Sequence, residues 1–356
     1  MNFDTSEEQE LLQETLAQLI ENECPATRVR EVFDGDTGHD PALWKSLMEM
    51  GMGGLAVPEE YGGAGLELID LALATETMAY GGAPGPFFAH SLASLALVLG
   101  GSEAQKKKWL PRLAAGEALG TVAFAEGGGV WQPEEWQLAA GDKLSGSKHY
   151  VHSAEIADLF VVGTAGGGLS LVESGDHVKV QLFDGVDRAR RVATVEFAGS
   201  AAEAMPGSDV GARTRDAGCV LLAADAFGTA SRLVDMAVEY AKTREQFGVT
   251  IGHFQALKHQ LANMAVDIEP SRGLFWYAAH AFDRIPEDAA RYAALAKSHI
   301  PERGMQIARD VVEAHGGIGI TWECDVQIWF KRMMLDRAWL GTPAVHRERA
   351  ADLAGW

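Results

Sequence analysis

The chain has 356 residues, 47% of them hydrophobic, with 30 Lys+Arg against 50 Asp+Glu. That length supports two or three domains around a sizeable core. The formal charge of −20 repels nucleic-acid phosphates and anionic lipid, which argues against both as partners and leaves any anionic ligand to local donors. Thr5-x-x-Glu8 predicts a capping box for an amphipathic helix carrying Leu11, Leu12, Leu16 and Leu19. Pro41 predicts the start of a second helix, with Trp44, Leu47 and Met48, that stops at Gly51. The glycines between Gly54 and Gly65 break any periodicity and predict a loop. Helical patterns resume over residues 67–80 and 90–115.

Between about 119 and 210 short alternating runs take over: Thr121 to Phe124, Leu159 to Val162, Val178 to Leu182 and Val192 to Phe197. Turn-rich segments separate them, with Gly166 to Gly168 and Asp184 to Arg188 as hairpin connections, so the stretch predicts a small antiparallel β domain. From about 212 the pattern is helical again. Leu233, Met236, Ala237 and Tyr240 form one buried stripe, and Phe254, Leu257, Leu261 and Met264 form another. A long helix is expected from about Glu287 to His315, with Pro301 as the point for a kink or break, and a last one from about Asp325 to Trp339.

Cys24, Cys219 and Cys324 are odd in number and far apart, so neither a disulfide framework nor a zinc spacing follows, and a reducing cytoplasm fits best. Met1 to Thr5 lacks the basic segment and apolar run of a signal peptide. No stretch approaches the roughly 18 uncharged apolar residues of a membrane span. Neither clustered metal ligands nor a P-loop is present.

Five runs, in order, are similar to segments of the acyl-CoA dehydrogenase family. They are Leu55 to Gly65, Trp109 to Glu117, Leu144 to Val151, Thr243 to Gln255 (with Arg244-Glu245-Gln246-Phe247-Gly248) and Glu313 to Gly319. The resemblance implies an α+β fold: an N-terminal α-helical domain (residues 1–118), a central antiparallel β domain (119–211) and a C-terminal helical bundle (212–356). It also implies FAD and α,β-dehydrogenation of an acyl-CoA thioester. In that chemistry a carboxylate takes the α-proton, the β-hydrogen leaves as hydride to flavin N5, and the electrons pass to an electron-transferring flavoprotein.

Carried over by position, Arg244 would hold the FAD pyrophosphate of a neighbouring subunit, with Phe247 near the adenine half and Gln246 and Gln255 beside them. Read alone, Arg244 is equally a helix C-terminal arginine on the dipole. Gly316 and Gly317 would offer backbone amides to phosphate, where a plain helix C-cap accounts for one glycine. Glu313 stands where the family has glutamine; a carboxylate there suits ribose hydroxyls and opposes a phosphate. Tyr150 would stack on the flavin and His152 donate to N5, although a histidine closing a strand reads as readily as structural.

The family's "T-E-P-G-x-G-S-D" loop is reduced to Ala125-Glu126-Gly127-Gly128-Gly129-Val130-Trp131, which removes its side-chain donors and keeps Glu126 as a structural residue. The catalytic glutamate before "G-T" is replaced by Leu340, and the alternative base position on the preceding helix is Gly218. Lost chemistry beside a retained cofactor tail resembles the non-catalytic chain of α2β2 acyl-CoA dehydrogenases, several of which act on steroid side-chain thioesters. The homologous catalytic subunit would carry the base and the ring site. The alternatives are a homo-oligomer using Asp225 or Glu126 as an unconventional base, and a binding subunit that has lost flavin.

Overall fold

Six helices form the N-terminal third: α1 (Glu7–Glu23), α2 (Ala26–Asp34), α3 (Pro41–Glu49), α4 (Leu68–Tyr80), α5 (Phe87–Gly100) and α6 (Glu103–Ala114). The computed structural model describes residues 4–356, so the start of the Met1–Thr5 segment read for a leader lies outside the described residues. The capping box of α1 is Ser6 with Gln9, not Thr5 with Glu8: Ser6 Oγ accepts from the Gln9 amide at 3.2 Å, while the Thr5 hydroxyl donates to Glu10. The helix starts one residue later; its buried residues are Leu16 and Ile20, Leu12 and Leu19 pack partly buried against the core, and Leu11 is 63% exposed. The stretch read as one helix over 90–115 is two, because Ser102 and Gln105 form a new capping box after Gly101.

Seven strands follow: β1 (Gly120–Ala123), β2 (Lys143–His152), β3 (Leu159–Thr164), β4 (Gly168–Glu173), β5 (Val178–Leu182), β6 (Val192–Ala201) and β7 (Glu203–Ala204). They make two sheets, β1-β3-β4-β7 and β2-β6-β5. Pairing is antiparallel except between β1 and β3, which run parallel. Inward side chains of both sheets, among them Leu144, Val151, Phe160, Val162, Val195 and Phe197, share one apolar core.

The C-terminal part holds α7 (Val210–Thr243), the two-strand hairpin β8 (Glu245–Gln246) and β9 (Val249–Thr250), α8 (Gln255–Ile268), α9 (Ser271–Arg284), α10 (Pro286–His315), α11 (Val326–Ala338) and α12 (Pro343–Leu353). By length and composition α7 could cross a bilayer, but 89% of its most apolar window is buried, so it is the core helix of this bundle. Helix α10 runs unbroken through Pro301, which is itself buried. On α8 only Met264 and Ile268 are buried; Phe254, Leu257 and Leu261 of the expected stripe stay partly open and Val266 is 70% exposed.

Candidate functional site

The residues assigned to a cofactor tail gather where α7 and α10 both end. Tyr240 and His315 stack at 4.4 Å with 19° between their planes, which ties the two helix ends together. One turn beyond Tyr240 the chain enters the hairpin; the Arg244 amide donates to the Tyr240 carbonyl at 2.8 Å and its carbonyl accepts from Ile251. Phe247 (φ 55) and Gly248 (φ 80) are both left-handed, as a two-residue hairpin turn demands. That turn leaves Phe247 92% exposed, its ring edge-on to Phe254 at 6.1 Å. Arg244, Gln246 and Gln255 are exposed on the same segment. The Arg244 guanidinium has no ion pair or hydrogen bond among the described residues.

After His315 the chain turns at Gly316 with φ 65 and ψ −144, a conformation open essentially to glycine. Gly316 and Gly317 are exposed, with nothing within 4 Å of either added Cβ, and Glu313 is exposed one turn earlier. The surface therefore presents an unpaired guanidinium beyond one of two stacked helix ends and an exposed glycine turn at the other, features that suit a diphosphate; Glu245 and Glu313 bring opposing charge.

The two ring-side residues separate. A bulge in β2, between Lys148 and Val151, re-aims Tyr150, which adopts φ 54. Its ring stacks between Trp131 (6.0 Å) and Phe183 (5.6 Å), and its carbonyl accepts from Trp339 Nε1 at 2.7 Å. Tyr150, Trp131 and Trp339 wall a cavity of about 430 Å³. None of the tail residues borders that cavity. His152 does not border it either. It is 2% exposed, beside Phe88, and neither ring nitrogen has a partner among the described residues. Burial, then Arg190 and Arg332, push its imidazole down to about 3, so it is neutral at ordinary pH. That placement is a buried core histidine, away from the cavity wall where the resemblance puts a donor. The two tryptophans were not singled out in the sequence; their signal was an indole in a loop that the family keeps small and hydroxylated.

Leu340 and Gly218, the two positions the family uses for its base, fill each other's space. Leu340 is fully buried, with φ 59, and a Cβ on Gly218 would meet its Cδ1 at 2.5 Å and Leu92 at 3.0 Å. The Leu340 carbonyl faces His346 Nε2 at 2.9 Å, and the Lys297 ammonium caps the end of α11 by donating to the Asp336 and Arg337 carbonyls. Leu340→Glu is accordingly expected to cost about 3 kcal/mol or more, since it buries a carboxyl with no partner. Chemical denaturation checks the cost; a variant as stable as the parent, or one that dehydrogenates acyl-CoA alone, would contradict this geometry.

The two substitute bases are occupied. Asp225 is buried and doubly bonded to Arg332, Nε at 2.7 Å and Nη2 at 2.6 Å, with Arg190 Nη1 at 3.3 Å. Burial opposes its ionised form, but Arg332 and Arg190 outweigh that and hold the carboxyl below its usual range. Arg190 also pairs with Asp187 (2.8 Å) and lies 2.8 Å from Asp336. Asp336 makes no hydrogen bond among the described residues; burial, helped by Asp225 and opposed by Arg190, raises its carboxyl well above the usual value. Glu126 accepts from Lys148 at 2.7 Å and from the Gln137 and Leu138 amides at 2.8 and 2.9 Å. Burial again opposes the charge, and these donors more than offset it. Neither carboxylate is free to take a substrate proton.

Residues 6–117 match the acyl-CoA dehydrogenase N-terminal domain family and residues 209–354 the acyl-CoA dehydrogenase C-terminal domain family. The chain is 35% identical over 339 residues to acyl-CoA dehydrogenase IpdE2 of Mycolicibacterium smegmatis, covering 95% of this chain and 96% of that one. Among solved structures, a variant of the Tcur3481–Tcur3483 steroid ACAD superposes with a TM-score of 0.91 at 30% identity, covering 98% of both chains. The ChsE4–ChsE5 complex of Mycobacterium tuberculosis does so with 0.90 at 25% identity, covering 100% of this chain and 99% of that one. These matches span both helical parts of the fold, and the chain belongs to the acyl-CoA dehydrogenase family, whose members are FAD-dependent flavoproteins.

Proposed function

We propose that this chain is a subunit, without a base of its own, of a heteromeric FAD-dependent acyl-CoA dehydrogenase. It completes the FAD site of a homologous catalytic partner, most simply as α2β2. The observation that carries the reading is a contrast: Leu340 and Gly218 interlock in a closed core, while Arg244 stands unpaired among the described residues and Gly316 and Gly317 lie exposed on the surface. When bound, FAD supplies the acceptor for the substrate's β-hydrogen. On this chain Arg244 neutralises the diphosphate, Gly316 lets the backbone approach it closely, the Gly317 amide donates to it, Phe247 lies against the adenine half, and Gln246, Gln255 and Glu313 serve the ribose and base. The partly open α8 face and the exposed Ile318 and Ile320 are the apolar surface a second chain of this fold would cover.

The substrate is a bulky acyl-CoA. Support comes from the two relatives above, one of them described as a steroid enzyme and the other as a complex of two such chains. An electron-transferring flavoprotein takes the electrons, in the cytoplasm. The visible spectrum tests the assembly: the chain purified alone is expected to be colourless, and flavin bands to appear on co-purification with a catalytic chain of the same fold. Arg244→Ala is expected to weaken FAD retention at least tenfold, the loss of about 1.5–3 kcal/mol for a hydrogen bond to a charged group. A yellow single chain that is bleached by an acyl-CoA would refute the division of labour.

A further inference from the structure

The loop that joins α10 to α11 carries Gly316 and Gly317, and its far end is held from the N-terminal part of the chain. Arg30, on α2, donates through Nε and Nη2 to Asp325 Oδ1, at 3.0 and 2.8 Å, and through Nη1 to the Trp322 carbonyl. Its guanidinium lies over the Trp322 indole, 4.6 Å from the ring centre, and Phe33 packs on the same indole at 4.5 Å. Lys331 brings a second cation to 5.7 Å from that ring. Three donors and a stack, all from one arginine onto one loop, exceed what an isolated surface ion pair provides.

Asp325 points the same way. It stands at the N-cap of α11, where an aspartate ordinarily accepts from the first helical amides, yet among the described residues its side chain makes no such bond. The carboxylate is turned to Arg30 instead. The near end of the loop is anchored separately, by the His315 stack on Tyr240 and by Gln327 Nε2, which donates to the Gly319 carbonyl at 2.6 Å. Between these anchors Gly316, Gly317, Ile318 and Ile320 are exposed. A turn with so few buried contacts takes its order from its two ends.

We infer that Arg30 is a positioning residue for the Gly316–Ile320 turn, acting through Trp322 and Asp325. Backbone fixed in advance spares a ligand the ordering that a loose loop would demand on binding. The clamp stands on the contacts above; its use, to help this surface retain FAD, rests on the proposed function.

Hydrogen exchange of the full chain, read over residues 316–325, provides the first test. Arg30→Met is expected to speed exchange there about tenfold, with α4 and α7 exchanging as in the parent. Asp325→Ala should come close to the same effect, and the double variant should add little to either, because both remove one contact. Arg30→Lys keeps the charge and loses the fork, so it should fall between the parent and Arg30→Met. In the complex co-purified with a catalytic chain, Arg30→Met should weaken FAD retention about fivefold. Excess FAD should then restore the flavin bands in full, since the groups that meet the cofactor are intact. Unchanged exchange at 316–325, exchange raised equally throughout the chain, or bands that excess FAD cannot restore overturns the inference. So does full FAD retention in Arg30→Met where Arg244→Ala loses its FAD. If Arg244→Ala keeps its FAD as well, the proposed function fails, and faster exchange in Arg30→Met still upholds the clamp. Should Arg30→Met not fold, Asp325→Ala supplies the same comparisons.

Discussion

Replacing Arg332 with methionine is expected to destabilise the chain by about 3–5 kcal/mol, the size seen when one member of a buried ion pair is removed. The guanidinium makes two bonds to Asp225 and one to the Ala83 carbonyl, at 2.8 Å, while its own backbone carbonyl accepts from Arg190. The cluster sets Arg190 and Arg332 against Asp187, Asp225 and Asp336. Removing Arg332 leaves Asp225 in the interior without its two strongest bonds and with Arg190, at 3.3 Å and shared with Asp187 and Asp336, as its remaining cation. Adding Asp225→Asn restores the balance and should recover a large part of the loss. Urea unfolding of the four members of this cycle measures the coupling. A coupling near zero would show that the two residues do not act as a pair. Because α7, α11 and the end of the β domain all enter the cluster, its loss also loosens the framework on which Trp339 and Leu340 are held.

The second large effect is expected at His152 and is read in acid. His152 and His346 are pushed down to about 3 and His90 to about 4, each chiefly by burial. An unfolded imidazole takes up a proton below about pH 6.5 that the folded chain refuses until far lower. The stability these groups contribute is therefore complete above pH 6.5 and declines as pH falls toward 4 and 3. Each unit of depression corresponds to about 1.4 kcal/mol, so the three together reach on the order of 10 kcal/mol in strong acid. Glu76, Glu155, Asp283 and Asp336, whose carboxyls are raised mainly by burial, act in the opposite sense and blunt the fall. His152→Leu isolates one contribution. At pH 7 it removes two unpartnered nitrogens from the interior and should stabilise by roughly 1 kcal/mol. Between pH 6.5 and 4 its stability should fall less steeply than the parent's. Denaturant midpoints at pH 7 and pH 5 decide; a variant weaker at both would place a needed polar contact at this histidine.

Periodicity and turn chemistry made most of the elements legible. The stripe ending in Tyr240 and the glycines after His315 predicted two helix ends, and the structure brings those ends together through a ring stack that no local pattern could announce. Helix α12 was missed because Pro343 to Leu353 has no clear apolar stripe and buries only Pro343, His346 and Ala350. The parallel β1–β3 pair escaped because alternation reveals that a strand exists and not which neighbour it takes. Asp225 looked available as a base in sequence, since its partner Arg332 lies 107 residues away. The burial of His152 was hidden for a similar reason: Phe88, from α5, lies beside it from another part of the chain.

The contact between Leu340 and Gly218 also makes the loss of the base hard to undo by small steps. A glutamate introduced at Gly218 collides with the Leu340 side chain, and one introduced at Leu340 enters an apolar niche shaped to leucine by that glycine and Leu92. Each reversion is harmful until the other position has changed as well. On the proposed reading, the two positions that the resemblance assigns to a base would together act as a ratchet that holds this chain to a supporting role.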